Sequence, residues 1–453
     1  MKLFPFFAVK KTTPIWNTMF KQSILPLFAL GYLSCSSAPQ IKKTSLKASL
    51  NLRCEQGDVQ SCVDVAKTIL SDKKGDSVKA TALLEASCQK GHLEGCFIFA
   101  QMLERGIGRE QNFDEAKMHY RFACKNGITQ ACNNLAILLK VTGEDLTLVN
   151  ALQEHGCEEG DAIACFNLGF KAEHQSPKNW ELARENYDKS CQAGFAEGCS
   201  YLGILYRYGN GVEVDLKRGA ELYRKSCLGG YMIGCNSMGY LYQIGSGVEK
   251  NDTLSTQYYS QACEGGLTRA CTNLGTLAES SDKKGKSAYD FYVHACKSGD
   301  GKGCSRLGVL YLGGTHGAKK DEKKALESFI LSCENNYGPG CCNVGVVEED
   351  GIGKKPDYKK AKTFYERACK LDEYKGCHNL GVMYAEGVGE KADMGVAADQ
   401  FMTACENGFT ASCSYLGKKW SKTPGKENLG KMLLQKACKA GDPSVCVLKS
   451  VKK

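Results

Sequence analysis

The chain has 453 residues, of which 26 are cysteine, 50 are glycine and 9 are proline. With 43% hydrophobic and 24% charged residues it can form a core, which excludes wholesale disorder. The formal net charge of +9 is concentrated at the N-terminus, because residues 1–53 contain eight basic residues and no acidic residue. The remainder is close to neutral, which argues against a surface that binds nucleic acid.

The N-terminus is typical of an export signal. Residues 24–34 form an apolar run after Lys21 that suits a signal peptide and is too short to span a bilayer. Cys35 follows directly, as in the lipid-attachment sequence of bacterial lipoproteins. We therefore expect residues 1–34 to be removed and Cys35 to be acylated. An ordinary cleaved signal peptide is the alternative.

The boundaries of this leader have two further features. Translation from Met19 would give a signal peptide of more usual length. Residues 35–53 are polar and basic, which predicts an acylated N-terminus and a tether between the membrane and the body.

The cysteines define an internal repeat. Twelve pairs share a spacing of eight residues, and their first members recur every 33 to 37 residues. A period of this size predicts a solenoid of stacked supersecondary units. The pairs are Cys54 with Cys62, Cys88 with Cys96, Cys124 with Cys132, Cys157 with Cys165, Cys191 with Cys199, Cys227 with Cys235, Cys263 with Cys271, Cys296 with Cys304, Cys333 with Cys341, Cys369 with Cys377, Cys405 with Cys413, and Cys438 with Cys446.

The repeat that begins at Cys199 shows the local pattern. Leu202, Leu205 and Tyr206 have the i, i+3, i+4 spacing of one helical face, which predicts a helix. Gly203 lies in the middle of that helix and costs about 1 kcal/mol relative to alanine. We therefore expect a partner helix to approach closely at this glycine.

A second helix follows a glycine-rich turn. Gly209 and Gly211 end the first helix, and Asp215 is expected to cap the next one, which runs to Cys227. Cys235 then opens the first helix of the following unit. Each unit is thus predicted to be an antiparallel helix pair that stacks on its neighbours.

The cysteine pairs are predicted to be disulfides that join the end of one helix to the first turn of the next. Closing a loop of nine residues stabilises the fold by on the order of 2.5 kcal/mol in the chain-entropy model. A metal array is the alternative, but a spacing of eight differs from short zinc knuckles, and no histidine recurs as a third ligand. We therefore expect no metal and no cofactor.

Residues 202–212 (LGILYRYGNGV) and 360–369 (KAKTFYERAC) resemble the two halves of a Sel1-like repeat. The repeated Ala-Cys-x7-Cys junction resembles that of the Helicobacter cysteine-rich proteins, a secreted subfamily. This resemblance implies an all-α, right-handed superhelical solenoid of antiparallel helix pairs, related to tetratricopeptide arrays. It covers residues 54–446, so residues 54–453 are expected to form a repeat domain of about eleven hairpins.

Some cysteine-rich relatives are named β-lactamases or penicillin-binding proteins, so a weak hydrolase is an alternative function. Such enzymes need a serine with a lysine one helical turn later, and a separate Lys-Ser/Thr-Gly element. Ser87 and Lys90 have the first spacing, and residues 297–299 (KSG) fit the second. The first spacing is expected by accident in a lysine-rich chain, and the second occupies the same loop as residues 125–127 of another repeat, so the repeat explains it. We therefore predict no catalytic residues.

The first helices offer a candidate peptide-binding groove. The second position after the second cysteine of a junction carries an amide in five repeats and a tyrosine or arginine in three. Asparagine can pair with the backbone of an extended peptide, although it could equally crosslink adjacent helices. The candidate residues are Asn134, Asn167, Tyr201, Asn273, Arg306, Asn343, Asn379 and Tyr415.

Cys342 has no partner in the repeat pattern and is predicted to be an unpaired thiol. Equivalent positions carry polar residues such as Asn133 and Ser200, which predicts an exposed thiol that pairs between chains. A buried, inert thiol is the alternative.

The sequence as a whole predicts an exported, lipid-anchored repeat scaffold that binds a protein or peptide in the cell envelope. We expect a periplasmic or outer-membrane lipoprotein, or a secreted protein, and no nucleic acid as partner. A secreted effector that engages host proteins is the second alternative.

Overall fold

A computed structural model describes residues 41–72, 75–144, 146–280 and 288–449. All regular structure in these residues is helical, with 23 α-helices and a terminal 3-10 segment and no strand. The all-α fold class is therefore confirmed. None of the described helices is both long and apolar enough to cross a membrane. The predicted signal peptide and Cys35 lie outside the described residues.

The chain divides into two compact units at Ala123. The first unit contains four complete helices and most of a fifth: α1 (Ile41–Glu55), α2 (Val59–Ser71), α3 (Ser77–Gln89), α4 (Leu93–Arg105) and α5 (Phe113–Lys125).

The second unit contains the other eighteen helices. They are α6 (Thr129–Thr142), α7 (Leu146–Glu158), α8 (Ala162–His174), α9 (Trp180–Gln192), α10 (Ala196–Tyr208), α11 (Leu216–Leu228), α12 (Met232–Ile244), α13 (Asp252–Glu264), α14 (Thr268–Ser280), α15 (Ala288–Lys297), α16 (Gly301–Gly313), α17 (Glu322–Glu334), α18 (Gly338–Asp350), α19 (Tyr358–Lys370), α20 (Tyr374–Glu386), α21 (Met394–Glu406), α22 (Thr410–Trp420) and α23 (Glu427–Lys439), followed by the 3-10 segment Pro443–Lys449.

From α2 onward, each even-numbered helix pairs with the odd-numbered helix that follows it. We call the even-numbered members first helices and the odd-numbered members second helices. Within the second unit, a first helix also packs against the first helix of the next hairpin, as α16 does against α18 and α18 against α20. The first helices of this unit therefore form a layer of their own.

Local chemistry sets the ends of the helices. The carboxylate of Asp215 accepts a hydrogen bond from the backbone N–H of Arg218 at 2.9 Å, so the predicted cap of α11 is confirmed. The first helix before it ends at Gly209, whose φ of +72° is strained for any residue with a side chain. The glycine and the capping aspartate therefore determine where the turn between the two helices of the hairpin begins and ends.

The mid-helix glycines allow the second helix to approach. A Cβ at Gly203 would lie 3.2 Å from the ring of Tyr223 on α11, which confirms the predicted close approach. The pattern recurs along the solenoid with an aromatic ring over the glycine. The further pairs are Gly169 with Tyr187, Gly239 with Tyr259, Gly275 with Tyr292, Gly308 with Phe329, Gly345 with Tyr365, and Gly381 with Phe401.

Each cysteine pair joins the end of a second helix, or of α1, to the first turn of the next first helix or to the 3-10 segment. In the part of the chain that the structure describes, all twelve pairs have their sulfur atoms at bonding distance and their Cα atoms 4.4–5.0 Å apart. This number of disulfide-distance pairs indicates an oxidising environment, extracellular or periplasmic.

The two members of a pair have fixed places in the fold. Every second member is the fourth residue of its helix or of the 3-10 segment, so the bridge always enters the first turn. The first members near the ends of the preceding helices are Cys54, Cys88, Cys124, Cys157, Cys191, Cys227, Cys263, Cys296, Cys333, Cys369, Cys405 and Cys438. The second members are Cys62, Cys96, Cys132, Cys165, Cys199, Cys235, Cys271, Cys304, Cys341, Cys377, Cys413 and Cys446.

Candidate binding face on the first helices

One side of each first helix in the second unit is turned away from its partner second helix. We number positions from the second cysteine of each junction. Because 3.6 residues make one turn, this side contains the position two residues before that cysteine and positions two, five and nine after it. We call this side the open face. It contains the predicted groove residues and is the candidate functional site.

The asparagines of the open face connect neighbouring hairpins. The side-chain NH2 of Asn167 donates to Asn133 Oδ1 at 3.1 Å, and that of Asn273 donates to Asn236 Oδ1 at 2.9 Å. Asn343 donates to Ser305 Oγ at 3.2 Å in the same way. Each bond runs from position two of one first helix to position one of the preceding one. This geometry favours the alternative that the amides crosslink adjacent helices.

The other predicted groove residues have different surroundings. Arg306 lies with Nη1 3.8 Å from Glu279 Oε2, and Tyr415 packs on Phe401 with ring centroids 4.5 Å apart. Asn134 is half-buried. The predicted row is therefore not a continuous groove of free amides.

Exposed apolar side chains on α8, α10 and α12 form a second feature of the open face. Tyr208 is 63% exposed, Tyr240 is 41% exposed and Phe170 is 39% exposed, and Ile244 is exposed as well. Tyr201 lies beside Phe170, with ring centroids 6.2 Å apart. We call these five residues the aromatic patch.

A guanidinium group lies within the aromatic patch. The Arg207 Cζ atom is 5.4 Å from the ring centroid of Tyr208 and 5.0 Å from that of Tyr240. Contact with two rings and a side-chain hydrogen bond to Tyr223 hold this cation in place, and its other planar N–H donors suit a carboxylate. The patch thus combines apolar surface with one fixed positive charge.

Tyrosine–carboxylate hydrogen bonds join the helices that carry the patch. The Tyr187 hydroxyl donates to Glu173 Oε2 at 2.7 Å, and the Tyr231 hydroxyl donates to Glu197 Oε1 at 3.1 Å. Burial raises the pKa of Glu197 and of Tyr201. These bonds fix the positions of the helices that carry the exposed rings.

Sequence reasoning missed most of the aromatic patch because it examined only position two. Tyr240 and Phe170 occupy position five, and Tyr208 and Ile244 occupy position nine. Phe170 and Tyr240 stand where other first helices carry smaller aliphatic residues such as Val309, and these large rings were the available signal.

Ser87 and Lys90 of the hydrolase alternative do not form a reactive pair, and neither do Ser412 and the histidine beside it. The Ser87 hydroxyl is buried and donates to the Leu83 carbonyl at 2.7 Å, whereas Lys90 is exposed at the end of α3. His378 Nδ1 lies 2.9 Å from Ser412 Oγ, but Ser412 is completely buried. Neither serine is accessible to a substrate.

Cys342 is 2% exposed, and burial raises the pKa of its thiol to about 12. The prediction of an exposed thiol is wrong, and the buried alternative is the observed one. Position one faces the next first helix rather than solvent, and Asn379 Nδ2 lies 3.9 Å from the Cys342 sulfur. For the same reason, Asn133 and Ser200 are buried although they are polar.

Two histidines lie beside cysteine pairs, which corrects the expectation that no histidine recurs in register. His119 groups with Cys88 and Cys96, and His294 groups with Cys263 and Cys271. Burial lowers the pKa of His119, so its imidazole stays neutral to a lower pH than an exposed histidine does.

Comparison with protein families gives a match to the Sel1 repeat over more than half of the chain. The matched segments are residues 94–128, 162–195, 196–231, 233–267, 301–337, 338–373, 375–399 and 411–442.

Individual proteins are similar over different lengths. A protective antigen of uropathogenic Escherichia coli with an SLR fold is 24% identical, with a TM-score of 0.56 over 86% of each chain. Helicobacter pylori cysteine rich protein B is 28% identical over 28% of this chain and 93% of that chain, with a TM-score of 0.24. Mouse cytochrome c oxidase assembly factor 7 is 34% identical over 131 residues, 26% of this chain. The match spans 54%, about half, of that relative's length.

Proposed function

This chain belongs to the Sel1 repeat family, and on that basis we propose that it is an exported, lipid-anchored scaffold that binds an extended segment of a protein partner in the cell envelope. The aromatic patch is the observation that carries the proposal. Aromatic side chains and arginine are enriched at the energetic centres of protein interfaces, and here both occur on a rigid helical layer.

The chemistry of the patch defines the segment it would bind. Phe170, Tyr208 and Tyr240 offer apolar surface to aliphatic or aromatic side chains of the partner. Arg207 offers paired N–H donors to an acidic side chain or a C-terminal carboxylate. The expected partner segment is therefore apolar with one carboxylate.

Site-specific photocrosslinking tests the binding face. Tyr208 is replaced by a photoreactive phenylalanine analogue, and intact cells are irradiated. We expect discrete adducts from this position. The control is Leu228, which is 80% exposed but lies at the end of a second helix. Identical adduct patterns from both positions would argue against the open face as the binding site.

Export and anchoring have a separate test, because they rest on the leader and on the disulfide-distance pairs rather than on the patch. We expect wild-type protein to enter the membrane fraction and to incorporate a labelled fatty acid. The Cys35→Ala variant should be unprocessed or soluble. Wild-type protein that is fully soluble and unlabelled contradicts the lipid anchor but leaves the binding proposal standing.

A further inference from the structure

His119 meets the Cys88–Cys96 pair in a geometry close to that of a metal centre. Its Nδ1 atom lies 3.3 Å from Cys88 Sγ. In a tetrahedral zinc site with ordinary Zn–S and Zn–N bonds, a sulfur and a nitrogen ligand are about 3.5 Å apart. Cys96 Sγ belongs to the same group, within 4.8 Å of the other two ligand atoms. His119 Nδ1 is therefore already at about the distance from Cys88 Sγ that a zinc site requires.

The outer side of the His119 ring also fits this role. Its Nε2 atom lies 3.9 Å from Glu115 Oε1. A carboxylate beside the second ring nitrogen orients a ligating histidine and increases its basicity. Phe99 packs edge-on against the ring, with centroids 5.0 Å apart, and so limits its rotation.

The arrangement occurs twice. His294 groups with Cys263 and Cys271. In both cases the histidine follows the first cysteine by 31 residues and lies on the second helix of the next hairpin. His155 follows Cys124 by the same 31 residues but does not group with Cys124 and Cys132, so the two clusters depend on local side-chain geometry as well as on this register.

We propose that Cys88, Cys96 and His119 form a zinc(II) site when the disulfide is opened by a dithiol reductant, and that Cys263, Cys271 and His294 form a second one. The dithiol supplies two electrons and two protons, so the S–S bond breaks and the reductant becomes a cyclic disulfide. Zinc then displaces two thiol protons and forms two Zn–S bonds and one Zn–N bond to neutral imidazole. Water takes the fourth position.

The two forms exclude each other, because the same sulfur atoms make either the disulfide or the metal bonds. In a zinc site the two sulfurs must move to about 3.8 Å apart, as tetrahedral Zn–S bonds require. Rotation of the two cysteine side chains can provide this separation, since the Cα atoms are 4.4 Å apart in the first pair. The metal form therefore belongs to the reduced chain, before or after its period in an oxidising compartment.

Zinc content of the reduced, full-length protein tests the proposal. Protein reduced anaerobically by a dithiol is loaded with zinc, treated with a competing chelator and analysed by mass spectrometry for metal. Among the described residues no other cysteine pair groups with a third ligand, so the chelator should strip zinc from those pairs. We expect two retained zinc ions per chain in wild type and one in each of the variants His119→Gln and His294→Gln. The His174→Gln control should retain two.

Cobalt(II) gives a second readout that a purely structural histidine would not change. The visible absorption of tetrahedral thiolate-bound cobalt should fall by about half in each single variant and disappear when both histidines are replaced. Circular dichroism compares the helix content of all forms. Wild-type protein that retains no zinc, or histidine variants that retain as much as wild type, would overturn the proposal.

Discussion

Glycine 308 on α16 shows how single residues determine the spacing within a hairpin. A Cβ at this position would lie 2.6 Å from Phe329 Cε1 on α17, closer than packed carbon atoms approach. The ring and the helix backbone must therefore separate if the glycine is replaced.

We expect Gly308→Ala to reduce the free energy of unfolding by about 1–3 kcal/mol, as overpacking of a core does. Denaturant unfolding followed by circular dichroism measures the change. Gly313→Ala in the same helix is the matched control, because its nearest neighbour would be 3.4 Å away and the change should be neutral or stabilising. Equal destabilisation by both variants would show that close approach is not the reason for the glycine.

We expect the buried thiol of Cys342 to be unreactive in the native protein. Because the side chain is buried and its pKa is raised, the native protein should react with a maleimide only as fast as it unfolds locally. Thiol labelling followed by mass spectrometry measures the rate with and without denaturant. A rapid reaction in native buffer, or a disulfide-linked dimer that disappears in Cys342→Ser, contradicts the buried position.

We expect the imidazole of His378 to make the free energy of unfolding depend on pH. Burial lowers its pKa below the ordinary 6.5, and the nearby charge of Lys375 adds to the effect. Below pH 6.5 the unfolded chain therefore binds the proton more readily than the folded chain. This contribution to stability is complete above pH 6.5 and is lost as the pH falls towards the folded pKa.

The unfolding midpoint of wild type, measured between pH 8 and pH 5, should fall towards acid more steeply than that of His378→Gln. If the His378→Gln profile runs parallel to that of wild type, the buried imidazole is not the source of the pH dependence.

At the scale of the element, the cysteine pairs join each hairpin to the next. Every pair connects residues eight apart across an inter-repeat loop, with Cα atoms near enough for an unstrained bridge. Local pairing of this kind restricts the unfolded chain at each junction.

We expect non-reducing peptide mapping to recover every pair as a local bridge, first member to second. Reduction should lower the melting temperature strongly, because the restriction on the unfolded chain is released. Bridges between different junctions, or many free thiols in freshly purified protein, would contradict the assignment. The thermal midpoint of reduced and alkylated protein provides the comparison.

The sequence was sufficient to predict the helices, because cysteine spacing, glycine turns and capping residues are local features of the chain. The Asp215 cap and the close approach at Gly203 could be predicted because both depend on neighbours in one hairpin. The burial of Cys342 and the crosslink from Asn167 could not, because they depend on how one first helix meets the next.

At the scale of the whole molecule, repetition separates structural from binding positions. The amides at position two are used to join hairpins, so they form part of the scaffold. The aromatic patch lies on three neighbouring first helices, α8, α10 and α12, whereas position five of other first helices carries aliphatic residues such as Ile137, Val309 and Val382. A feature that the stacking of repeats does not require is where a specific partner is expected to bind.

The most direct test of this account is the affinity of the patch for the partner identified by crosslinking at Tyr208. Isothermal titration of the purified partner should show at least a tenfold loss of affinity for the double variant Tyr208→Ser with Tyr240→Ser, since aromatic anchors dominate interface energies. Circular dichroism should show unchanged helix content, and Leu228→Ser should bind as wild type does. Equal affinity of the double variant and wild type would contradict the assignment of the open face as the binding site.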